Sequence, residues 1–184
     1  MKKIIFTLVC ILTIILIYFM KKDGKIMIFE ISDVNISSKK VINLLNRKQK
    51  LNDYIKYINN KNYTLIELLN DINNNKKITN KYYINSLFVK SNYIFLNIGN
   101  NDIKYYISNG KSMYDNLDNF IIDYENILRK IKEVSKEQII IIFDYDLQEK
   151  YNDYLYNRLS KFKKEYSVLL FSREDLYNYL KYLY

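Results

Sequence analysis

The chain has 184 residues, of which 49% are hydrophobic, and this apolar content excludes an intrinsically disordered protein. It carries a net charge of +9 and a single cysteine, so an intrachain disulfide and a cysteine-rich metal site are excluded. Histidine, the commonest general base, is absent from the sequence. Once a membrane segment is set aside, the remaining length corresponds to about one domain.

The first predicted element is a membrane helix over residues 4–20, which are uncharged and bounded by lysine pairs. Lysines that snorkel at both ends extend such a helix to about the 30 Å of the hydrocarbon layer. A cleaved signal peptide is the alternative, but no small-x-small cleavage site follows. A lipoprotein is rejected because Val9 precedes Cys10 where a small residue is expected. We therefore predict an uncleaved signal anchor over 1–22, a single-pass membrane protein, and a domain over 23–184 that faces outward.

Alternating strands and helices are predicted downstream of the anchor. The run at 25–31 is apolar and isoleucine-rich, which favours a buried strand. Ser37 or Ser38 can cap a helix whose apolar face holds Val41, Leu44 and Leu45. Residues 51–58 fit a helix by their apolar spacing and a strand by their Tyr and Ile content, so both assignments stay open.

The next two helices precede a buried strand. Thr64 and Glu67 predict a capping box, since the hydroxyl and the carboxylate can each accept an orphan backbone amide. The apolar residues behind this box follow helical spacing, and the asparagines at 73–75 stop the helix. A strand over 93–98 follows a further helix, whose apolar positions are Ile84, Leu87 and Phe88.

The second half of the chain opens with a long helix and the most strand-like run of the sequence. Ser112 and Asp115 predict the start of the helix, whose apolar stripe is Leu117, Phe120, Ile121, Tyr124, Leu128, Ile131 and Val134. Residues 138–143 are apolar on both faces, as a central parallel strand requires.

The remaining elements repeat this order. One helix carries Tyr154, Leu155, Leu159 and Phe162, and a strand over 167–171 runs directly into a cap formed by Ser172 and Asp175. The last helix has the apolar stripe Leu176, Leu180 and Leu183. Strands separated by amphipathic helices imply right-handed crossovers and a sheet covered on both faces. We therefore predict a three-layer α/β domain with five parallel strands in the flavodoxin-like order 2-1-3-4-5.

The strand over 93–98 ends in Gly99, Asn100, Asn101 and Asp102, at the sheet edge where open α/β sheets bind ligands. An Ile-Gly-x-Asn-Asp ending on a central strand resembles the SGNH (GDSL-type) hydrolases, a family of esterases and acylhydrolases. The similar segment is 62–102, and the order of elements is similar over most of the chain. The resemblance implies a domain descended from ester-cleaving enzymes.

The first two family blocks are altered in this sequence. The Gly-Asp-Ser block with the nucleophilic serine corresponds to Ser32, Asp33 and Val34, which puts a valine at the serine position. The second block supplies a glycine amide to the oxyanion hole, and the corresponding residue is Asn62. By the resemblance, Asn62 could still donate its amide, although its side chain crowds the approach.

The third block is intact and the fourth is missing. Gly99 and Asn101 correspond to the turn glycine and the oxyanion-hole asparagine of the family, and Asp102 completes the motif. The fourth block, Asp-x-x-His, belongs to a loop before the last helix. That loop is predicted to be deleted, because Phe171 runs straight into Ser172.

These losses predict an inactive protein. In a comparable hydrolase triad, removing the nucleophile or the base costs about a millionfold in turnover. Ser32 as a displaced nucleophile has no histidine to activate it, and Asp33 is a poor base at neutral pH unless its pKa is strongly raised. We predict a membrane-anchored, SGNH-like pseudoenzyme with a binding or structural role. An active cell-surface esterase or deacetylase with rearranged residues, and a purely structural membrane protein, are the alternatives.

The polar edge also has simpler interpretations. The Gly99–Asp102 segment can be a turn in which Asn101 or Asp102 caps the next helix. Four aspartates near the edge could gather around a divalent cation, but acids are common in such loops: Asp33, Asp102, Asp144 and Asp146. No metal or cofactor is predicted. The expected partners are the membrane and an acyl or glycan ligand; nucleic acid is not expected, because basic residues flank the membrane segment or mix with acids.

Overall fold

The computed structural model describes residues 26–33, 39–48, 51–58, 63–108, 112–143, 145 and 147–183. The predicted anchor at 4–20 lies outside these ranges, as do Ser37, Ser38, Asp144 and Asp146, so the structure does not test those assignments. Within the ranges, no helix has the length and apolarity needed to cross a membrane. The anchor at 1–22 and the domain boundary at 23 stay predictions.

A five-stranded parallel sheet forms the centre of the described part of the chain. Its strands are β1 (Ile26–Ser32), β2 (Leu51–Ile58), β3 (Tyr93–Asn97), β4 (Gln138–Ile142) and β5 (Val168–Phe171). They lie in the order β2-β1-β3-β4-β5, and every neighbouring pair is parallel. This confirms the predicted α/β class and strand order.

Helices connect the strands and cover the sheet. Eight lie within the described ranges: α1 (Lys39–Arg47), α2 (Leu65–Asn73), α3 (Ile84–Lys90), α4 (Asn100–Ser108), α5 (Met113–Val134), α6 (Glu149–Ser160), α7 (Phe162–Glu165) and α8 (Arg173–Leu183). The strand between α1 and α2 resolves the open assignment of 51–58. As β2 it places Ile55 beside Phe29 of β1, which extends the apolar row of the sheet.

Each face of the sheet carries its own apolar cluster. One row of paired residues crosses all five strands: Ile55, Phe29, Ile94, Ile139 and Val168. Its face is covered by buried side chains of α2, α3, α5 and α6. The opposite face packs against α1 and α8 through Val41, Leu45, Leu176 and Leu180. Strands that are buried on both sides explain the continuous isoleucine runs of the sequence.

Two local predictions about helix starts are confirmed. The Thr64 amide donates to the Glu67 carboxylate over 2.8 Å, and the Glu67 amide donates to the Thr64 hydroxyl over 3.3 Å. At α8, the Asp175 amide donates to the Ser172 hydroxyl over 3.2 Å. The junction between β5 and α8 is the single residue Ser172, as the deleted-loop prediction requires.

Other local predictions were wrong. The Ser112 side chain makes no capping hydrogen bond, although α5 does begin at the next residue. Val134 and Leu183, assigned to the apolar stripes of α5 and α8, are 39% and 48% exposed. Each is the last residue of its helix, α5 and α8 respectively. Helical periodicity alone does not show where the covering layer stops.

Candidate functional site

The candidate site lies at the carboxyl edge of the sheet, where β1 and β3 are neighbours. The chain leaves β1 toward β2 on one side and returns as β3 on the other, so this is the topological switch point of the sheet. Open α/β sheets bind ligands in the crevice that such a reversal creates. Asp33 follows β1, and the Gly99–Asp102 segment follows β3.

Asp33 caps helix α4 from a different strand. Its carboxylate accepts hydrogen bonds from the Gly99 amide at 2.9 Å, the Asn101 amide at 3.1 Å and the Asn100 side chain at 3.3 Å. A carboxylate at a helix N-terminus satisfies orphan amides and is favoured by the helix dipole. The expectation that Asn101 or Asp102 caps this helix was wrong, because α4 already begins at Asn100 and both residues lie in its first turn.

Gly99 is required where β3 turns into α4. Its φ is +115°, a backbone conformation that residues other than glycine rarely adopt. A Cβ atom would lie 2.6 Å from the Phe120 ring and 3.3 Å from the Tyr145 hydroxyl. That hydroxyl donates to the Ile98 carbonyl over 2.8 Å, so the aromatic floor under the turn is itself held in place.

Asn101 and Asp102 bind the start of helix α2. The Asn101 side-chain amide donates to the Tyr63 carbonyl over 3.0 Å. The Leu65 backbone amide donates to both Asp102 carboxylate oxygens, each at 3.2 Å. Leu65 is the first residue of α2, and its amide is one that the Thr64–Glu67 box leaves unsatisfied. We refer to the Asn101–Tyr63 and Asp102–Leu65 contacts as the α2–α4 latch.

Asp102 is a buried carboxylate with acidic neighbours. Asp102 is 6% exposed, and this burial is the main cause that raises its pKa to about 6. The Leu65 amide acts in the opposite direction, while the charges of Asp33 and Asp123 raise the pKa further. Burial also raises the pKa of Asp123 on α5. A group of this kind changes charge close to neutrality, unlike an exposed aspartate.

The structure does not bring all the sequence-predicted residues together. Gly99, Asn101, Asp102 and Asp33 form one hydrogen-bonded cluster. Ser32 is fully buried, and it alternates with Asp33 along the extended chain, so its side chain belongs to the opposite face of the sheet. Val34 and Asn62 lie outside the described residues, and their assigned roles stay predictions.

A second carboxylate network was missed by the sequence reasoning. Asp71, near the end of α2, accepts hydrogen bonds from the Tyr63 hydroxyl at 2.7 Å and the Tyr57 hydroxyl at 2.9 Å. The Lys76 ammonium contacts the same oxygen at 3.1 Å. Tyr57 comes from β2, and the phenols are recognisable as partners only once 51–58 is known to be a strand beside α2. No local motif indicates this pairing.

The described residues hold no metal-ligating cluster at this edge. Among these residues, no three His, Cys, Asp or Glu side chains are grouped closely enough to hold a metal ion. A surface groove of about 310 Å³ is lined by Lys132, Ser135, Lys136, Glu165, Tyr166 and Ser167. These residues precede β4 and β5, so the groove lies at the amino edge, away from the candidate site.

Comparisons with known proteins assign no family. No protein-family model matches the chain, and no curated protein matches it. A solved structure, the N-terminal part of the protein BF1531 from Bacteroides fragilis containing a phosphatase domain complexed with Mg, is similar with a TM-score of 0.49 and 10% identity. The similarity covers 81% of this chain but only 40% of that chain.

Proposed function

We propose that this chain is a membrane-anchored, SGNH-like domain that has no hydrolase activity and serves a binding or structural role. One observation carries the proposal: the polar groups at the carboxyl edge are hydrogen-bonded to one another. Asp33 accepts from the amides of Gly99 and Asn101, and the Asn101 side chain donates to Tyr63. A catalytic site at this edge would instead need hydrogen-bond donors that point at the substrate.

The state of Asn101 supports the loss of activity. An oxyanion-hole donor works only when it lies within about 3 Å of the position where the negative charge develops. One donor of the Asn101 amide is engaged by the Tyr63 carbonyl, at 3.0 Å. The Asn101 side chain therefore acts as a brace between α4 and α2.

The candidate hydroxyl is buried, and a histidine base is absent from the sequence. Ser32 is 0% exposed, so an ester would have to open the sheet face to reach it. The sequence holds no histidine that could take its proton. Asp33 faces three donors, which is the environment of a structural carboxylate and not of a general base.

Hydrolysis is tested on the full chain in detergent, with p-nitrophenyl acetate as substrate and a fluorophosphonate probe as the serine label. We expect turnover no greater than that of the heat-denatured chain, and no labelling. Ser32→Ala and Asn101→Ala are the matched variants. Labelling that disappears in Ser32→Ala, or turnover that falls at least tenfold in Asn101→Ala, would establish the alternative of an active esterase.

The binding role is tested with an acyl probe and a glycan probe, octanoate and an N-acetylated oligosaccharide. A melting-temperature increase that is lost in Asn101→Ala identifies a ligand at the carboxyl edge. If neither probe raises the melting temperature of the wild type or of the variant, the purely structural alternative is favoured. The comparison is informative because Asn101→Ala removes one brace and leaves the Asp33 cap in place.

The membrane anchor and the outward orientation belong to the same proposal. The anchor rests on the uncharged run at 4–20 and its flanking lysines, and the outward orientation rests on the ability of long domains to translocate regardless of flanking charge. We expect the full chain to remain in the membrane pellet after alkaline extraction, and protease added to intact cells or right-side-out vesicles to degrade residues 23–184. Release of the chain by alkali, or protection of the domain from external protease, would contradict the corresponding part of the proposal.

A further inference from the structure

Exposed lysines precede the strands of the sheet. An exposed lysine lies within four residues of the start of each of β2, β3, β4 and β5: Lys48, Lys90, Lys136 and Lys164. Because parallel strands all begin at one edge of a sheet, these four lysines share the amino edge. With neighbouring strands about 4.8 Å apart, they form a row roughly 19 Å wide, which we call the lysine row.

The amino edge is basic. The four positions ahead of each of these strands hold six basic residues, which are the lysine row with Arg47 and Lys50, against two acids, Glu137 and Glu165. Within the described ranges, no member of the lysine row forms an ion pair with a carboxylate. These charges are therefore available to an external anion.

The carboxyl edge carries the opposite charge. Asp33 follows β1, and Asp102 lies in the first turn of the helix after β3. Glu174 and Asp175 lie in the first turn of the helix after β5. The domain is therefore electrically polar along the direction of its strands, with the positive end at the amino edge.

Helix dipoles do not explain this polarity by themselves. Cations are favoured at helix C-termini, and α3 and α5 have Lys90 and Lys132 in their last turns. Helices α2 and α4 lead into another helix, and neither has a basic residue in its last turn. Arg158 in the last turn of α6 is paired with Asp118 at 2.9 Å. Before another helix, a basic last turn is thus absent or paired, whereas before a strand it is unpaired among the described residues.

The proposed anchor keeps the amino edge close to the bilayer, so this inference rests on the proposed function. The uncharged run ends at residue 20, and β1 begins at Ile26 on the amino edge. Six backbone steps reach no further than about 20 Å in any conformation. The carboxyl end of β1 is itself about 20 Å from its start. The tether therefore allows the carboxyl edge, but not the amino edge, to lie far from the membrane.

We propose that the amino edge docks on the anionic headgroups of the membrane through the lysine row, with the carboxyl edge directed away from the bilayer. Lysines near a membrane surface are attracted to anionic lipid, and the attraction falls off within a Debye length of about 10 Å. Because the tether already holds the row near this surface, docking restricts the domain little further. The candidate site at the carboxyl edge then faces partners outside the membrane.

The test uses the full chain reconstituted in vesicles of POPC alone and of POPC with about 30% of the anionic lipid POPG. Lysines are acylated with the neutral reagent N-succinimidyl acetate, and mass spectrometry measures each product. The internal references are Lys104 and Lys150, exposed lysines on the helices that follow β3 and β4. Relative to them, we expect labelling of Lys136 and Lys164 to fall by roughly threefold or more with POPG. In about 1 M NaCl, where the Debye length is about 3 Å, this protection is expected to disappear.

Two matched double variants separate the lysine row from the overall charge. Lys90→Glu combined with Lys136→Glu is expected to abolish the POPG-dependent protection of the remaining members of the row. Lys104→Glu combined with Lys150→Glu makes the same change in net charge near the carboxyl edge and is expected to retain the protection. All four positions are exposed, so both variants are expected to fold. If the first variant does not fold, the salt dependence of the wild type decides.

The anchor and the docking surface fail in different ways. Flotation of the chain with POPC vesicles depends on the anchor alone, and its absence would contradict the anchor and the docking proposal with it. If the chain floats with POPC but POPG leaves the relative labelling of the two edges unchanged, the docking proposal is overturned and the anchor stands. Equal protection of Lys104 and Lys150 by POPG would also overturn it, because the domain would then have no preferred edge.

Discussion

The two ends of helix α2 are each held by an aspartate, and the two aspartates have opposite surroundings. Near the end of the helix, Asp71 accepts from two phenols and contacts the Lys76 ammonium. At its start, Asp102 receives the Leu65 amide and faces other carboxylates. An aspartate is therefore an anchor satisfied by hydrogen-bond donors at one end of α2, and at the other end it forms a latch whose carboxyl group has a raised pKa.

One residue connects the two ends. The Tyr63 hydroxyl donates to Asp71, while its carbonyl accepts from Asn101. The ring is 1% exposed and packs edge-on against Tyr57 at a centroid distance of 5.6 Å. Tyr63 therefore contacts both ends of the helix, Asp71 through its hydroxyl and Asn101 through its carbonyl. Mutations at the two ends should differ in sign, in size and in pH dependence.

The largest expected effect is at the turn that carries the latch. Gly99→Ala places a methyl group 2.6 Å from the Phe120 ring at a φ of +115°. Backbone strain and overpacking together are expected to destabilise the protein by about 4 kcal/mol. Urea unfolding measures this. Asn100→Ala, which loses only one side-chain contact with Asp33, is the matched control and is expected to cost about 1 kcal/mol or less.

Asp102→Asn is expected to stabilise the protein at neutral pH. A pKa raised from 3.8 to about 6 corresponds to an upper limit of ~3 kcal/mol held against the ionised form. The gain is greatest above pH 6 and disappears toward pH 4, where the wild-type group is protonated. Unfolding in urea at pH 4, 5 and 7 checks both the sign and the window. A variant that is less stable than the wild type at pH 7 would contradict it.

Asp71→Asn is expected to have the opposite sign. The change weakens hydrogen bonds from two phenols and removes the contact with Lys76, so we expect a loss of about 2 kcal/mol at pH 7. Because Asp71 and Asp102 brace one helix, the pair of amide substitutions compares their environments directly. Equal effects of the two substitutions at pH 7 would remove the distinction between anchor and latch.

The smallest expected effect is that of the phenol hydroxyls. Tyr63→Phe leaves the buried ring in place and removes one hydrogen bond to Asp71, at an expected cost of about 1 kcal/mol. Tyr57→Phe is the control. Because the Tyr57 side chain is only partly buried, this substitution is expected to lower stability less than Tyr63→Phe. Thermal unfolding of the two variants ranks them. The reverse order would show that the Tyr57 hydroxyl is the main partner of Asp71.

Much of the fold could be predicted from local sequence. The apolar runs of β3 and β4, the capping box at Thr64 and the cap at Ser172 depend on residues a few positions apart, so they are readable without coordinates. The strand order was predicted as one of the common orders for alternating strands and helices with right-handed crossovers. Residues 51–58 could not be assigned locally, because the tyrosines and isoleucines there fit two periodicities and only pairing with β1 selects one.

The sequence predicted where the candidate site lies but not which contacts its residues make. The sequence by itself determined that Gly99, Asn101 and Asp102 follow a central strand, and that no histidine accompanies them. Only the tertiary structure decided that Asp33 caps α4 and that Asn101 and Asp102 hold Tyr63 and Leu65, since these contacts join residues 37 to 68 positions apart. The direction of a polar side chain depends on which amides and carbonyls other elements leave unsatisfied, and that information is distributed over the whole fold.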